Sequence, residues 1–125
     1  MIIVNDLNSW LNETLAPLAC SREAVAYIVD VLANKHIVQK GSIVLAFAEA
    51  KTTGKFVSYQ EIGDWSLFLH STFKPTHDDV QVTLARLSYY ACYRMLRKEW
   101  KLYEELADQF PAYTEQIRHT LHRVQ

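Results

Sequence analysis

Apolar residues recur along this chain at intervals of three and four, the period of a helix buried along one side. Leu7, Trp10, Leu11 and Leu15 share one such face and predict a first helix over residues 6–16. A second is predicted over 22–39, with Ser21 as N-cap and Glu23 in the first turn, where an acid suits the positive end of the helix dipole. Its middle, residues 24–33, is apolar almost all round, which marks a central element. The third, over 42–52, carries Ala46, Ala48 and Ala50, small enough for close approach. Ile43-Val44 would suit a strand, but the alanine content and the length favour helix. Ser58-Tyr59-Gln60-Glu61 has the form of a capping box, with Val57 and Ile62 as a hydrophobic staple, and predicts the start of the fourth helix. Ile62, Trp65, Leu69 and Phe73 form its inward stripe. A fifth helix is predicted over 77–109, after Thr76 as N-cap, and a sixth over 112–123. Pro17, Pro75 and Pro111 fall between these segments, and Gly41 and Gly54 at the ends of two of them, where helices stop. The prediction is an all-α, single-domain bundle over residues 1–125, of about six helices, one of them long and in the C-terminal half.

The fifth segment is apolar on two sides. At 100° per residue, Val80, Leu84, Leu87, Ala91, Leu102 and Leu106 fall on one side. Val82, Tyr89, Tyr93, Leu96, Trp100, Tyr103, Ala107 and Phe110 fall opposite. Between them runs a polar strip of Asp79, Thr83, Arg86, Tyr90, Arg94, Arg97, Lys101 and Asp108. Such a helix has to be covered on both apolar sides, either by the rest of the bundle or by a second subunit. Straight, it would span about 50 Å, against a radius of gyration of about 14 Å for a globule of this size. It must therefore project, bend near Lys98-Glu99, or be covered by a partner.

Composition narrows the class. The 125 residues include only 3 Gly and 3 Pro; 50% are hydrophobic and 22% charged, and the net charge is −1. The apolar share is too high for a disordered chain, and glycine is too scarce for phosphate-cradling loops. The longest apolar runs fall well short of the roughly 20 residues of a membrane helix. The opening residues, Met1-Ile2-Ile3-Val4-Asn5-Asp6, lack the basic stretch and apolar core of a secretory leader. Two cysteines, Cys20 and Cys92, make no disulfide framework and fit a reducing compartment. The expectation is a cytoplasmic protein with no membrane contact.

Candidate chemistry is sparse. Glu115, His119 and His122 share a helix face and make a conceivable metal half-site, in final turns that more simply form a solvated face. His70 lies four residues after Ser66, close enough to touch, but no oxyanion hole or third triad member accompanies them. His77-Asp78-Asp79 and His36 fit complementation of helix dipoles. No Glu is followed by His three residues later, which excludes the di-iron pattern. Thr53-Gly54-Lys55 is not a P-loop. No cofactor and no catalytic set is expected. Gly63-Asp64 stands out inside the fourth helix. A mid-helix glycine costs up to about 1 kcal/mol relative to alanine, which points to close approach of another backbone. Asp64 is expected to hydrogen-bond a Tyr or Trp of the fifth helix.

The sequence Gly63-Asp64-Trp65-Ser66-Leu67-Phe68, followed by Phe73, Tyr90, Tyr93 and Leu96, resembles a loose group of bacterial all-helical proteins. These carry a Gly-Asp-x-x-Leu-Phe helix before a Tyr-rich long helix. The resemblance covers the C-terminal half and implies a helical fold but no activity. The expectation is a non-enzymatic interaction or regulatory protein, a homodimer or the binder of another protein. Its contacts are expected from the aromatic residues Tyr89, Tyr93, Trp100 and Tyr103, or from the basic strip Arg86, Tyr90, Arg94, Arg97 and Lys101. A balance of 13 basic to 14 acidic residues argues against duplex nucleic acid. The alternative is a helical bundle that binds a small ligand or a metal.

Overall fold

A computed structural model describes residues 4–34, 42–73, 79–97 and 100–124. Among them every regular element is helical: α1 (Val4–Leu15), α2 (Arg22–Val29), α3 (Ile43–Thr53), α4 (Phe56–Thr72), α5 (Asp79–Met95) and α6 (Leu102–Val124). A 3-10 turn, Ala16–Leu18, takes in Pro17 and ends α1. Ser21 caps α2, its Oγ accepting the Ala24 N–H at 3.1 Å. The apolar centre of the second helix is the buried one: Ala24, Val25, Ile28, Val29 and Val31 all lie in the core. From Asp30 to Asn34 the helix continues in the wider π form. The expected extension to residue 39, together with His36, Gly41, Pro75, Thr76, His77 and Asp78, lies outside the described residues. No helix among the described residues is long and apolar enough to cross a membrane.

The fourth helix starts earlier than the capping box suggests. Gly54, at φ 65°, closes α3 by donating its N–H to Ala50 O at 2.8 Å. Only Lys55 then separates α3 from α4, and it stands at the N-cap without a side-chain cap. Ser58 falls inside the first turn, where its N–H reaches the Lys55 carbonyl. The core decides this. Phe56 packs its ring on Tyr103, with centroids 5.6 Å apart, so helix begins at Phe56 rather than after Ser58. The inward face differs too. Trp65 and Leu69 are half-buried and Phe73 is exposed, whereas Gly63, Asp64, Ser66, Leu67, His70 and Ser71 are buried beside Ile62. α4 packs against both α5 and α6, so it is covered over a broader face than a single apolar stripe.

The long fifth segment bends. α5 ends at Met95, and Arg97 takes a left-handed conformation at φ 56° with its N–H bonded back to Arg94 O at 3.0 Å. α6 starts at Leu102, where the Glu105 N–H finds Lys101 O. The expected helix over 77–109 is thus two helices that pack on each other. The turn folds the aromatic side onto itself, bringing the Tyr89 and Tyr103 rings to 6.0 Å.

The second boundary also moves. Pro111 lies inside α6 rather than between helices. A proline there has no N–H for the carbonyl four residues back, that of Ala107. Arg86 of α5 supplies the missing donor, its Nε reaching Ala107 O at 2.8 Å. Ala107 is fully buried, so that donor comes from protein rather than solvent.

Candidate functional site

The two apolar sides of α5 meet different fates. The aromatic side is core. Tyr89 and Tyr103 are 0% and 2% exposed, which removes both from any contact surface in the folded protein. Tyr89 lies flat against Gly63: a Cβ there would sit 2.5 Å from the Tyr89 ring. The close approach that Gly63 permits is therefore to a ring, not to a backbone. Beside it Asp64 accepts the hydroxyls of Tyr89 at 2.9 Å and of Tyr27 at 2.6 Å. The bond from a fifth-helix tyrosine was expected; Tyr27, on α2, was not, since nothing in a linear pattern ties α2 to α4. Burial first, and then the Asp64 carboxylate, push both hydroxyls far above the ordinary tyrosine value. They remain proton donors throughout the physiological range. Tyr103 completes the group, accepting from Gln60 Nε2 at 2.9 Å and edging onto Tyr27. Tyr93 is half-buried at the rim; partial burial and the nearby Glu104 raise its hydroxyl. Trp100 stays open at 47%.

The aliphatic side of α5 faces outward at its middle and ends. Ala91 is buried and Leu84 half-buried, but Val80, Leu87 and Met95 are exposed. α3, which packs on α5, adds exposed Val44 and Leu45. At the junction of α3, α4 and α5, Gly54, Tyr59, Ala91, Arg94 and Met95 line an open cleft of about 310 Å³.

The basic strip divides. Arg86 belongs to the Pro111 repair, and the Tyr90 hydroxyl donates to Asp108 of α6. Both are helix-to-helix ties rather than free contact residues. Arg94, Arg97 and Lys101 remain exposed.

The histidine candidates separate as well. His70 is buried, its Nε2 at 2.9 Å from Gln81 Oε1 and its ring edge-on to Phe110. Its backbone carbonyl accepts from Arg118 at 2.9 Å. Ser66 Oγ is buried with no hydrogen-bond partner among the described residues, so the Ser66–His70 pair does not form. Glu115 and His119 do meet, at 3.7 Å, but both are about two thirds exposed, and His122 is exposed too. Among the described residues no three metal-ligating side chains come together.

One further cluster was not legible in the sequence. Glu105 of α6 accepts the Ser21 backbone N–H at 3.1 Å and the Tyr113 hydroxyl at 2.6 Å. Burial alone would raise this carboxyl, but the bonds from Ser21 and Tyr113 outweigh it and hold the group below its ordinary value. Cys20, beside it, is pushed up to about 11 by burial despite a lowering contact with Tyr113, and is a poor nucleophile. Both cysteines are free thiols. Compared with known protein families, with curated proteins and with solved structures, the chain finds no match.

Proposed function

We propose that this protein is a non-enzymatic helical interaction or regulatory protein of the cytoplasm, and that it self-associates through α5. The observation that carries the reading is the outward stripe of Val80, Leu87 and Met95 on a helix whose opposite side packs on the core through Tyr89, with Val82 and Tyr93 half-buried beside it. Water-exposed aliphatic residues at this spacing on one helix are what a second helix covers. Of the aromatic side, one of the two contacts expected from the sequence, Tyr89 and Tyr103 are occupied within the subunit.

A second copy suits the stripe because the stripe is self-complementary. Asp79 lies in the first turn of α5 and Arg94 in the last, on the same flank of the stripe. An antiparallel pairing about a two-fold axis at Leu87 places Asp79 of one copy beside Arg94 of the other, twice. The antiparallel arrangement also opposes the two helix dipoles favourably.

Light scattering after size exclusion tests the proposal. A dimer is expected at tens of micromolar, and a monomer for Leu87→Glu, which sets two like charges at the axis. Arg94→Asp should weaken the dimer, and the swap Asp79→Arg/Arg94→Asp should restore it. A wild-type chain that is a clean monomer at that concentration refutes self-association.

A further inference from the structure

A second exposed surface lies where the foot of α4 meets the turn between α5 and α6. Trp100 rises from this corner with its edge on the Tyr103 ring, centroids 5.6 Å apart, and Tyr103 in turn meets Phe56 at 5.6 Å. Val57, next to Phe56, is half exposed at 51%. Trp100 therefore stands on a floor of packed rings, and exposed Val57 follows Phe56, a ring of that floor, along α4. An aromatic held at its base loses little conformational freedom on binding, which is the property of an interface anchor.

The rim of this corner is basic. Lys55, Arg97 and Lys101 are exposed, and none of their side chains makes an ion pair or hydrogen bond among the described residues. Of the described residues between 94 and 101, Arg94, Arg97 and Lys101 are basic and none is acidic. The chain as a whole is at −1, so this is a local concentration against a neutral background. Arg97 adds a separate indication. Its left-handed backbone, at φ 56°, is the conformation in which glycine is at ease and a side chain is strained. The turn needs that backbone, while the exposed guanidinium makes no hydrogen bond or ion pair among the described residues and is open to a use outside the fold.

We propose that this corner docks an acidic protein segment bearing a large apolar side chain. The apolar side chain lies against Trp100 and Val57, and flanking carboxylates meet Lys55, Arg97 and Lys101. Charge complementarity selects the occupant. Duplex nucleic acid needs a broad basic footprint that this chain lacks, and two apolar residues offer little insertion into a bilayer. The surface uses none of Val80, Leu87 and Met95, and its docking does not depend on self-association.

The test uses the full chain carrying Leu87→Glu, so that the dimer plays no part. Fluorescence anisotropy follows a labelled peptide of about twelve residues alternating Glu with Leu and Phe, and the same peptide with every Glu replaced by Gln. The acidic peptide is expected to bind at least about tenfold more tightly than the Gln peptide, and to weaken as salt rises. Arg97→Gly separates docking from folding: its melting temperature should rise while its affinity falls about tenfold. Trp100→Ala should lose at least as much, with an unchanged circular dichroism spectrum. The proposal is overturned by equal binding of the two peptides, or by unchanged affinity in Arg97→Gly and Trp100→Ala. Absence of binding up to about millimolar peptide overturns it too, as does tighter binding to phosphatidylserine vesicles or to a single-stranded oligonucleotide.

Discussion

The contact between Arg86 and Ala107 invites a quantitative test, because it links the two residues whose roles are least visible in the sequence. Arg86→Met keeps the length and apolar stem of the side chain and removes its donors. The Ala107 carbonyl, fully buried and already without its in-helix donor because of Pro111, would then be unsatisfied. A hydrogen bond from a charged donor contributes about 1.5–3 kcal/mol, and an unsatisfied buried carbonyl costs a similar amount. A loss of about 2 kcal/mol is expected for Arg86→Met. In a Pro111→Ala protein the backbone N–H at position 111 can bond Ala107 O directly, as in any helix interior. There Arg86→Met should cost about 0.5 kcal/mol, a remainder that includes lost packing and the interaction of Arg86 with the Tyr90 hydroxyl. Urea unfolding of the four proteins, followed by circular dichroism, measures the cycle, with m-values compared to confirm a common unfolded state. A coupling of about 1.5 kcal/mol is the expected result. Additivity within about 0.5 kcal/mol would show that Pro111 is accommodated some other way, and the assignment of Arg86 would be wrong.

Four shorter tests address the rest of the molecule. Gly63→Ala gains up to about 1 kcal/mol of helix propensity but drives a methyl into the Tyr89 ring, at about 1–3 kcal/mol or more; a net loss is expected, and the same substitution in a Tyr89→Leu protein should be neutral or stabilising. Glu105 is held below its ordinary value, so its contribution is present above the unfolded pKa and is lost as pH falls through the folded one; Glu105→Gln should lower stability at neutral pH and flatten the acid limb, and parallel stability–pH curves for the two proteins would contradict this. Ala19, at φ 53°, closes the 3-10 turn in a left-handed conformation, so Ala19→Gly should raise stability by about 0.5 kcal/mol, strain relief exceeding the added freedom of the unfolded chain. The Cys20 thiol, pushed up to about 11, should react with a disulfide reagent near neutral pH much more slowly than an unfolded-chain cysteine, and accelerate as pH approaches that value.

The helical class and many of the segments were legible because they depend on local quantities: period, propensity and capping. The Ser21 cap, the Gly54 stop and the apolar centre of α2 are formed as the pattern indicates. The Gly63-Asp64 pair was legible as an anomaly, since a glycine inside a helix carries a local cost. Its explanation was only half available. Tyr89 follows from the adjacent long helix, while Tyr27 enters from α2 through a fold that a linear pattern does not encode.

What the tertiary structure alone decided are the places where a distant group offsets a local penalty. Pro111 marks a helix boundary by every local rule, yet α6 runs through it because a guanidinium from α5 bonds the carbonyl it orphans. Arg97 is a poor residue for a left-handed turn, yet the chain turns there after α5 because folding back buries Tyr103, Leu106 and Phe110 against the rest of the core. The capping box at Ser58 goes unused because burying Phe56 is worth an extra turn of helix without a side-chain cap. The same cause sorts the two sides of α5. The sequence made both apolar. Which one became core was settled by the bend and by Gly63, whose missing side chain admits the Tyr89 ring and leaves the aliphatic side facing out.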